Sequence, residues 1–228
     1  MIISIHQPNY FPWAGYFYKV NKANTFIFLD DAQYSKNSFI NRSYIIENLK
    51  KSWLTIPVKI LSNSIIKEVS IADKDWKQKH LSKLKNSYKK TVYFDEVWSL
   101  INNIYDKIYE YNISQINKKI ISETSSVLKI PTEFVSSSDL DIDQNLKGED
   151  RLIALIKKIG GKVYFSGQGG KNYQNKEKFL DNGIKLIYSS YIPEEYKQES
   201  NIFYPGASIL DMLFNIGVKK SITSINQN

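Results

Sequence analysis

The first residues of the chain place a histidine where an enzyme could use it. A short apolar run of strand type, residues 2–5, ends at His6, one of two histidines in 228 residues. A turn rich in proline, asparagine and aromatic residues follows, and a helical pattern begins after it. Ligands of open α/β sheets bind just beyond the carboxyl ends of the strands. Because the reference pKa of histidine is close to neutral, His6 is a candidate proton-transfer group.

Polar residues also follow three other predicted strands. Asp30 and Asp31 follow the strand at residues 25–29, serines follow the strand at residues 133–136, and a glycine-rich turn follows the strand at residues 162–165. If these strands are parallel neighbours, their carboxyl ends open onto one edge of the sheet. Ordinary polar turns would give the same pattern, but the convergence favours one ligand site. Its candidate binding residues at the last two turns are Ser136, Ser137, Ser166, Gly167, Gly170 and Lys171.

The turn at residues 166–171 has the sequence Ser-Gly-Gln-Gly-Gly-Lys. Its three glycines could hold an anion with their backbone amides. The turn lacks the spacing of a Walker A loop, and Asn172 occupies the last glycine position of the G-x-G-x-x-G pattern. A tight turn between a strand and a helix explains the same glycines, so both interpretations stay open.

The two arginines and the second histidine suit different roles. Arg42 precedes a predicted hairpin, and its planar guanidinium suits phosphate or carboxylate recognition. Arg151 follows Glu149 and Asp150 at a helix start, so we expect a local ion pair there. His80 lies one helical turn after Trp76, which by itself favours a half-buried structural histidine.

Several other chemistries have no support in the sequence. The chain contains no cysteine, which excludes disulfides, thiolate metal sites and a cysteine nucleophile. The acidic run at residues 139–143 lacks the glycine and glutamate of an EF-hand, and two distant histidines make no zinc site. No G-x-S-x-G nucleophile elbow occurs. No metal is therefore indicated.

The elements that must position these residues alternate between strand and helix. A strand at residues 2–5, a helix at residues 13–21 and a strand at residues 25–29 indicate a parallel crossover unit. We therefore expect an α/β fold with a mostly parallel open sheet of Rossmann-like type. One domain over residues 1–228 is the simplest organisation, with a hairpin at about residues 43–58 and a helical insertion at about residues 73–130.

Two further details follow from local signals. The hairpin strands are expected at residues 43–47 and 53–58, on either side of the turn at residues 48–51. Ser208 and Asp211 resemble a capping box that opens a helix at residues 209–216, and Gly217 is expected to end it.

Composition limits the partners and the compartment. The net charge of +8 could attract nucleic acid, but the lysines are scattered and only two arginines occur, so we expect no nucleic-acid binding. There is no basic n-region at the start and no stretch of 18 apolar residues, so we expect no membrane span. A cytoplasmic protein is the expected outcome.

Taken together, the motifs resemble the WbqC-like protein family. The most specific part is His-Gln-Pro-Asn-Tyr-Phe-Pro-Trp at residues 6–13. The resemblance covers nearly the whole chain in order, with Ala14 and Ala207 at positions where the family has leucine. Its other segments are Leu-Asp-Asp-Ala-Gln-Tyr at residues 29–34, Asn-Arg at 41–42, Lys-His-Leu at 79–81, Tyr-Phe-Ser-Gly at 164–167 and Ser-Ile-Leu-Asp at 208–211.

Members of that family are associated with bacterial O-antigen and capsule gene clusters, so the resemblance implies a role in making surface polysaccharide. Acyl or aminoacyl transfer to a nucleotide-linked amino sugar is the activity it favours. His6, joined by His80 from a family motif, would take a proton from the sugar amine. Arg42 and the turn at residues 166–171 would hold a pyrophosphate or an acyl phosphate. The remaining candidate substrate-binding residues are Gln7, Asn9, Asp30, Gln33 and Asn41.

Two alternatives stay open beside this transferase. The opening strand, turn, helix and strand are similar to the start of the H-x-G-H nucleotidyltransferase and pantothenate-synthetase-like folds, which indicates an ATP-dependent, adenylate-forming enzyme. The H-x-G-H motif itself is absent, because residues 6–9 read His-Gln-Pro-Asn. The other alternative is a non-enzymatic sugar-binding or assembly protein. The donor is left open between ATP and an acyl donor.

Overall fold

Strands and helices alternate at both ends of the chain and flank a run of three helices. The computed structural model describes residues 1–226. The first part contains β1 (Ile2–His6), α1 (Ala14–Asn21), β2 (Thr25–Phe28), β3 (Arg42–Glu47), β4 (Lys50–Thr55), β5 (Val58–Lys59) and β6 (Ser70–Ile71). The remainder contains α2 (Trp76–Tyr88), α3 (Phe94–Asp106), α4 (Ile113–Val127), β7 (Glu133–Ser136), α5 (Gly148–Lys158), β8 (Val163–Ser166), α6 (Lys176–Asp181), β9 (Lys185–Tyr188) and α7 (Ile209–Asn226).

Five strands form the central sheet in the order β7-β2-β1-β8-β9, and every neighbouring pair is parallel. Two small antiparallel pairs, β3 with β4 and β5 with β6, lie outside it. These findings confirm the predicted α/β fold with a parallel open sheet of Rossmann-like type and a hairpin. Strand β7 covers residues 133–136, the range that the sequence predicts.

Alternating side chains of the strands enter two separate hydrophobic cores, as the period of two in a strand requires. Ile3, Ile5 and Ile27 pack on the face covered by α5 and α6. Phe26 and Phe28 pack on the opposite face, against helices α1, α2, α3, α4 and α7. Because helices cover both faces, β2 is buried along its whole length. No helix within residues 1–226 is long and apolar enough to cross a membrane.

The hairpin turn is tighter than the sequence predicts. Asn48 and Leu49 form a two-residue turn, with φ angles of 50° and 63°. Such turns match the twist of the strands they join, and both central residues then need positive φ. Strand β4 therefore begins at Lys50 and not at residue 53. A leucine at the second position hides the turn, because glycine is the usual signal there.

The break at Gly217 that the sequence predicts is present in the last helix. Gly217 has a φ of 75° and a ψ of 168°, outside the helical region, so the helix that begins at Ile209 is interrupted there. A second helical segment follows and continues to Asn226, and buried residues such as Ile225 pack it onto the core. The predicted capping box is wrong. The Asp211 carboxylate is buried and accepts hydrogen bonds from Tyr88 and Gln198 at 2.6 and 2.8 Å.

Candidate functional site

The strand order of the sheet reverses between β1 and β8, which makes this position a topological switch point. From β1 the neighbours on one side are β2 and β7, and on the other side they are β8 and β9. The pairing of β1 with β8 reaches only Ile3 and Tyr164, so the carboxyl ends of these strands are not joined by a ladder. Ligands of open α/β sheets bind in the crevice at such a point.

Two buried side chains take up backbone acceptors where the strands separate. Ser4 Oγ donates a hydrogen bond to the Phe165 carbonyl oxygen at 2.8 Å. Lys19 Nζ, from α1, donates to the Ile5 carbonyl oxygen at 2.7 Å. These contacts satisfy carbonyls that lack a ladder partner, as buried backbone requires. The opening between the strands is therefore a stable feature of the fold.

His6 lies at this opening with one ring nitrogen held and the other free. Its Nδ1 is 3.0 Å from the Gln7 carbonyl oxygen. Because a carbonyl only accepts, Nδ1 carries the proton and Nε2 keeps a lone pair. Tyr16 donates to the same carbonyl at 3.1 Å, and its ring meets the imidazole edge-on at 5.0 Å between centroids. Within residues 1–226, Nε2 has no hydrogen-bond partner, so it has the form that a general base needs.

Burial sets the charge of the two basic groups at this point. Desolvation, followed by the nearby positive charge of Lys19, lowers the pKa of His6 to about 4. Desolvation lowers the pKa of Lys19 to about 7. His6 is consequently neutral at pH 7, whereas Lys19 is divided between its charged and neutral forms.

The loop after β1 is strained where it turns into α1. Phe11 is fully buried and has a φ of 35°, an unusual angle for a bulky residue. Ser208 Oγ donates to the Phe11 carbonyl oxygen at 2.8 Å, and Ile209 N donates to the Pro12 carbonyl oxygen at 2.9 Å. The start of α7 therefore holds this loop in place beside His6. Backbone strain of this kind is concentrated at functional sites.

A cleft of about 720 Å³, here called the aromatic cleft, opens on one side of His6. Its wall includes Trp13 and Tyr16 from the start of the chain, and Lys19 lies in its lining. Asn9 and Gly167, two of the residues expected at the site, also line it. Its outer wall adds Phe39, Tyr44, Lys51 and Tyr191.

A second cleft of about 890 Å³, here called the polar cleft, opens on the other side of His6. The candidate residues Gln7 and Gln33 line it together with the amino end of α5. Its charged lining residues carry both signs: Asp31, Lys147, Glu149 and Arg151. His6 is the residue that lines both clefts.

Arg151 does not form the local ion pair that the sequence predicts. Its guanidinium pairs with the Asp31 carboxylate in the lining of the polar cleft. Lys178 instead pairs with Asp150, at 2.8 Å. The prediction was wrong because a helix N-terminus packs against the end of a strand far away in the chain. Asp31 and Arg151 are thus joined at the site from two different turns.

Asp30, Ser136 and Ser137 turn away from both clefts. Asp30 is 1% exposed and accepts hydrogen bonds from Lys118 Nζ at 2.9 Å and from Ser138 Oγ at 3.0 Å. Ser137 is fully buried and its Oγ donates to Asp31 Oδ1 at 2.6 Å. Burial alone would raise the pKa of Asp30, but the Lys118 ammonium and the Ser138 donors outweigh burial and lower it. Ser136 Oγ accepts from Lys118 at 2.9 Å. This cluster joins β2, β7 and α4 and leaves Asp30 no free oxygen for a sugar.

Asn41 and Arg42 line neither cleft. Asn41 is buried, accepts from Tyr34 OH and donates to the Ile56 carbonyl oxygen, each at 2.9 Å. Arg42 stacks over the Trp53 ring at 4.3 Å and donates to the Asn37 carbonyl oxygen. Both residues therefore brace the β3–β4 hairpin. Ser43, the residue that follows Arg42, lines the aromatic cleft.

In the glycine-rich turn at residues 166–171, some residues line the aromatic cleft and others are buried in the core. Gly167 lines the aromatic cleft, and a Cβ at this position would meet no atom within 4 Å. A Cβ on Gly170 would lie 2.4 Å from Gln174 Oε1 and 2.6 Å from Ser166 Oγ, so close packing requires this glycine. Ser166 is buried, and Lys171 Nζ lies 5.8 Å from the centre of the Tyr188 ring.

His80 lines neither of the two clefts that His6 lines. It is buried in α2 and both ring nitrogens have partners. Nε2 is 3.1 Å from the Thr55 carbonyl oxygen, so it donates, and Nδ1 accepts from Tyr10 OH at 2.7 Å. Tyr105 OH then donates to Tyr10 OH at 2.6 Å. The geometry does not bring the two histidines to one cleft.

Lys19 is a site residue that sequence reasoning missed. The available signal was a single lysine within a helix whose other residues from 14 to 20 are aromatic, aliphatic or glycine. A cation on such a stripe must either reach the surface or have a buried acceptor. In the structure it has the Ile5 carbonyl oxygen.

The fold and this site define an α/β protein with two clefts that meet at one histidine. The chain belongs to the WbqC-like protein family, whose model matches residues 7–223. Membership suggests an association with polysaccharide gene clusters. A similar protein, the uncharacterized protein Rv1507c of Mycobacterium tuberculosis, is 30% identical over 220 residues, or 95% of this chain and 94% of that one. No solved structure matches the chain significantly.

Proposed function

We propose that this protein transfers an acyl or aminoacyl group to the amine of a nucleotide-linked amino sugar during the synthesis of surface polysaccharide. The observation that carries the proposal is that His6 lines two clefts of different chemistry. A transferase has to hold a donor and an acceptor side by side, with a base at the point where they meet. The family association with polysaccharide gene clusters supports the same class of substrate.

The chemistry assigned to His6 follows from its tautomer. The sugar amine attacks the acyl carbon, a carbon–nitrogen bond forms, and the leaving group departs with its electron pair. The attacking nitrogen becomes acidic as this bond forms, so a base of low pKa can accept its proton at Nε2. The Gln7 carbonyl holds Nδ1–H and keeps the ring in this orientation, as the orienting group does in other base-catalysed transfers.

The proposal places the reaction in the cytoplasm, the compartment expected from the sequence. The presence of two clefts that share His6 supports direct transfer, because neither ligand has to leave before the other binds. The Asp31–Arg151 pair supports recognition of a polar, charged group in the polar cleft.

Ligand binding tests the proposal first. The protein is incubated with several nucleotide-linked amino sugars, acyl-coenzyme A donors and ATP, and the thermal midpoint is followed. A ligand at one hundred times its dissociation constant adds about 2.7 kcal/mol, which is roughly 5–11 °C for a chain of this size. Pairs that shift the midpoint are then mixed, and mass spectrometry looks for the acylated sugar.

The outcomes separate the transferase from its alternatives. An acylated sugar whose formation needs His6 supports the proposal. A shift with ATP and release of pyrophosphate would instead indicate an adenylate-forming enzyme. Binding of a sugar with no consumption of any donor would indicate a non-enzymatic binding protein.

A further inference from the structure

Lys19 is a buried basic residue without an acidic partner. The residue is 5% exposed, and the hydrogen bond of its Nζ goes to the neutral carbonyl of Ile5. In the part of the chain that the structure describes, no carboxylate forms an ion pair with it. Burying an unpaired charge is costly, and proteins normally pair such a group. An anion that enters from solvent would supply the missing partner.

The cleft above Lys19 has the charge and the walls for such an anion. Of the described residues that line the aromatic cleft, none is aspartate or glutamate, and Lys51 adds a second cation. Lys51 Nζ lies 4.8 Å from the centre of the Tyr44 ring at the outer wall. Trp13 and Phe39, which are 37% and 48% exposed, present ring surface to the cleft. A nucleobase stacks favourably on aromatic side chains of this kind.

We propose that the aromatic cleft binds a nucleoside diphosphate group, with a phosphate oxygen paired to Lys19 Nζ and the base stacked against Trp13 or Phe39. The substrate class rests on the proposed function, since a nucleotide-linked sugar carries this group. Acyl-coenzyme A and ATP carry it too, so the shared chemistry is the nucleoside diphosphate. The polar cleft is the poorer site for a polyanion because Asp31 and Glu149 line it.

Binding at this position changes the protonation of Lys19. An anion beside the ammonium favours the charged form, so its pKa rises from about 7 when the ligand binds. The protein therefore takes up a proton with the ligand at pH 7–8. The other titratable groups that line the same cleft are His6 on β1, Tyr16 on α1, Tyr44 on β3, Lys51 on β4 and Tyr191 after β9.

Isothermal titration calorimetry of the full chain tests the proposal with four probes: uridine diphosphate, adenosine diphosphate, inorganic pyrophosphate and uridine. The variant Lys19→Met removes the charge and keeps the length of the side chain. Lys22→Met is the matched control, because Lys22 ends the same helix and lies over Tyr18, outside the cleft. The two diphosphates report which nucleoside, and hence which source, the cleft prefers.

We expect wild type and Lys22→Met to bind a nucleoside diphosphate equally well. Lys19→Met should bind it about 10- to 100-fold more weakly, the usual effect of losing a charged hydrogen bond. Affinity for uridine should not change between the variants. In wild type, affinity should fall as the pH rises from 7 to 9, since Lys19 loses its proton while the phosphate stays fully ionised. This pH measurement uses wild type alone, so it does not depend on whether Lys19→Met folds.

Three results would overturn the proposal. One is an unchanged affinity for the diphosphates in Lys19→Met. Another is an equal loss of uridine and diphosphate binding, which would show a purely structural lysine. The third is no binding of any phosphate probe by wild type at millimolar concentration. Diphosphate binding without acyl transfer would leave this site standing and remove the proposed function, whereas transfer without dependence on Lys19 would do the reverse.

Discussion

The two histidines of this protein share a lowered pKa and differ in everything around them. Burial is the main cause that lowers the pKa of both His6 and His80 to about 4. His80 is buried on α2 with both nitrogens bonded, to Tyr10 and to Thr55. His6 ends a strand at the switch point, with one nitrogen held by the Gln7 carbonyl and the other at the junction of two clefts.

This difference shows that a perturbed pKa does not identify a catalytic histidine by itself. Desolvation acts on a residue in the core as strongly as on one in an active site. What separates the two is the unpaired Nε2 of His6 and the space beside it. His80 is buried within a chain of hydrogen bonds that connects Tyr105, Tyr10 and Thr55, so neither of its nitrogens is available to a ligand.

The largest expected effect is on turnover, in a variant that lacks the unpaired Nε2 of His6. In His6→Asn the amide can still donate to the Gln7 carbonyl, but no base remains at Nε2. We expect turnover to fall by about 10²–10⁴-fold, the usual contribution of general-base catalysis, with a thermal midpoint close to wild type. The measurement is the rate of acyl transfer, with His80→Asn as control. Full turnover in His6→Asn would remove His6 from the mechanism.

The second effect is on stability and belongs to the other histidine. His80→Ala leaves Tyr10 OH without its acceptor and opens a cavity in the core. We expect the free energy of unfolding to fall by about 2–4 kcal/mol, measured by urea denaturation. Turnover per folded molecule should stay at the wild-type value. A stability loss below about 0.5 kcal/mol would show that the buried chain of hydrogen bonds contributes little.

The shared pKa gives a third effect, in the dependence of stability on pH. Each histidine binds a proton in the unfolded chain below pH 6.5 but stays neutral in the folded protein down to about pH 4. Protons therefore favour unfolding, and stability falls as the pH drops from about 6.5 towards 4. The slope is up to about 1.4 kcal/mol per pH unit for each histidine.

Urea denaturation at several pH values measures this slope. In His80→Asn the slope of stability against pH should fall by the contribution of one histidine, and the same fall is expected in His6→Asn. An unchanged slope in His80→Asn would mean that His80 already carries a proton in the folded protein.

The smallest expected effect is on stability, at two glycines of the turn at residues 166–171. One is open to the aromatic cleft and the other is packed in the core. Gly170→Ala forces Gln174 and Ser166 to move, so we expect a loss of about 1–2 kcal/mol, or roughly 2–8 °C in the thermal midpoint. Gly167→Ala meets no atom within 4 Å and should change stability by less than about 0.5 kcal/mol. Equal losses in the two variants would contradict the packing that the structure describes.

The sequence alone determined the elements and the edge of the sheet at which to look. Alternating apolar runs and turns define β1, α1, β2 and β7, because local hydrophobic periodicity reports which face of an element is buried. The same pattern placed His6 at a strand end, and the order of motifs identified the family. The elements and the position of His6 depend only on residues that are neighbours along the chain, and the family depends on the order of short motifs.

Which polar residues face the clefts depends on how distant elements pack against one another. Asp30 and Asp31 are adjacent in sequence, yet Asp30 turns inward to Lys118 and Asp31 reaches Arg151. Lys19 became part of the site because α1 packs over the gap between β1 and β8. Such contacts join elements that lie far apart in the chain, and a few ångströms of packing decide them. Periodicity shows which face of an element is buried, but only packing shows what lies opposite that face.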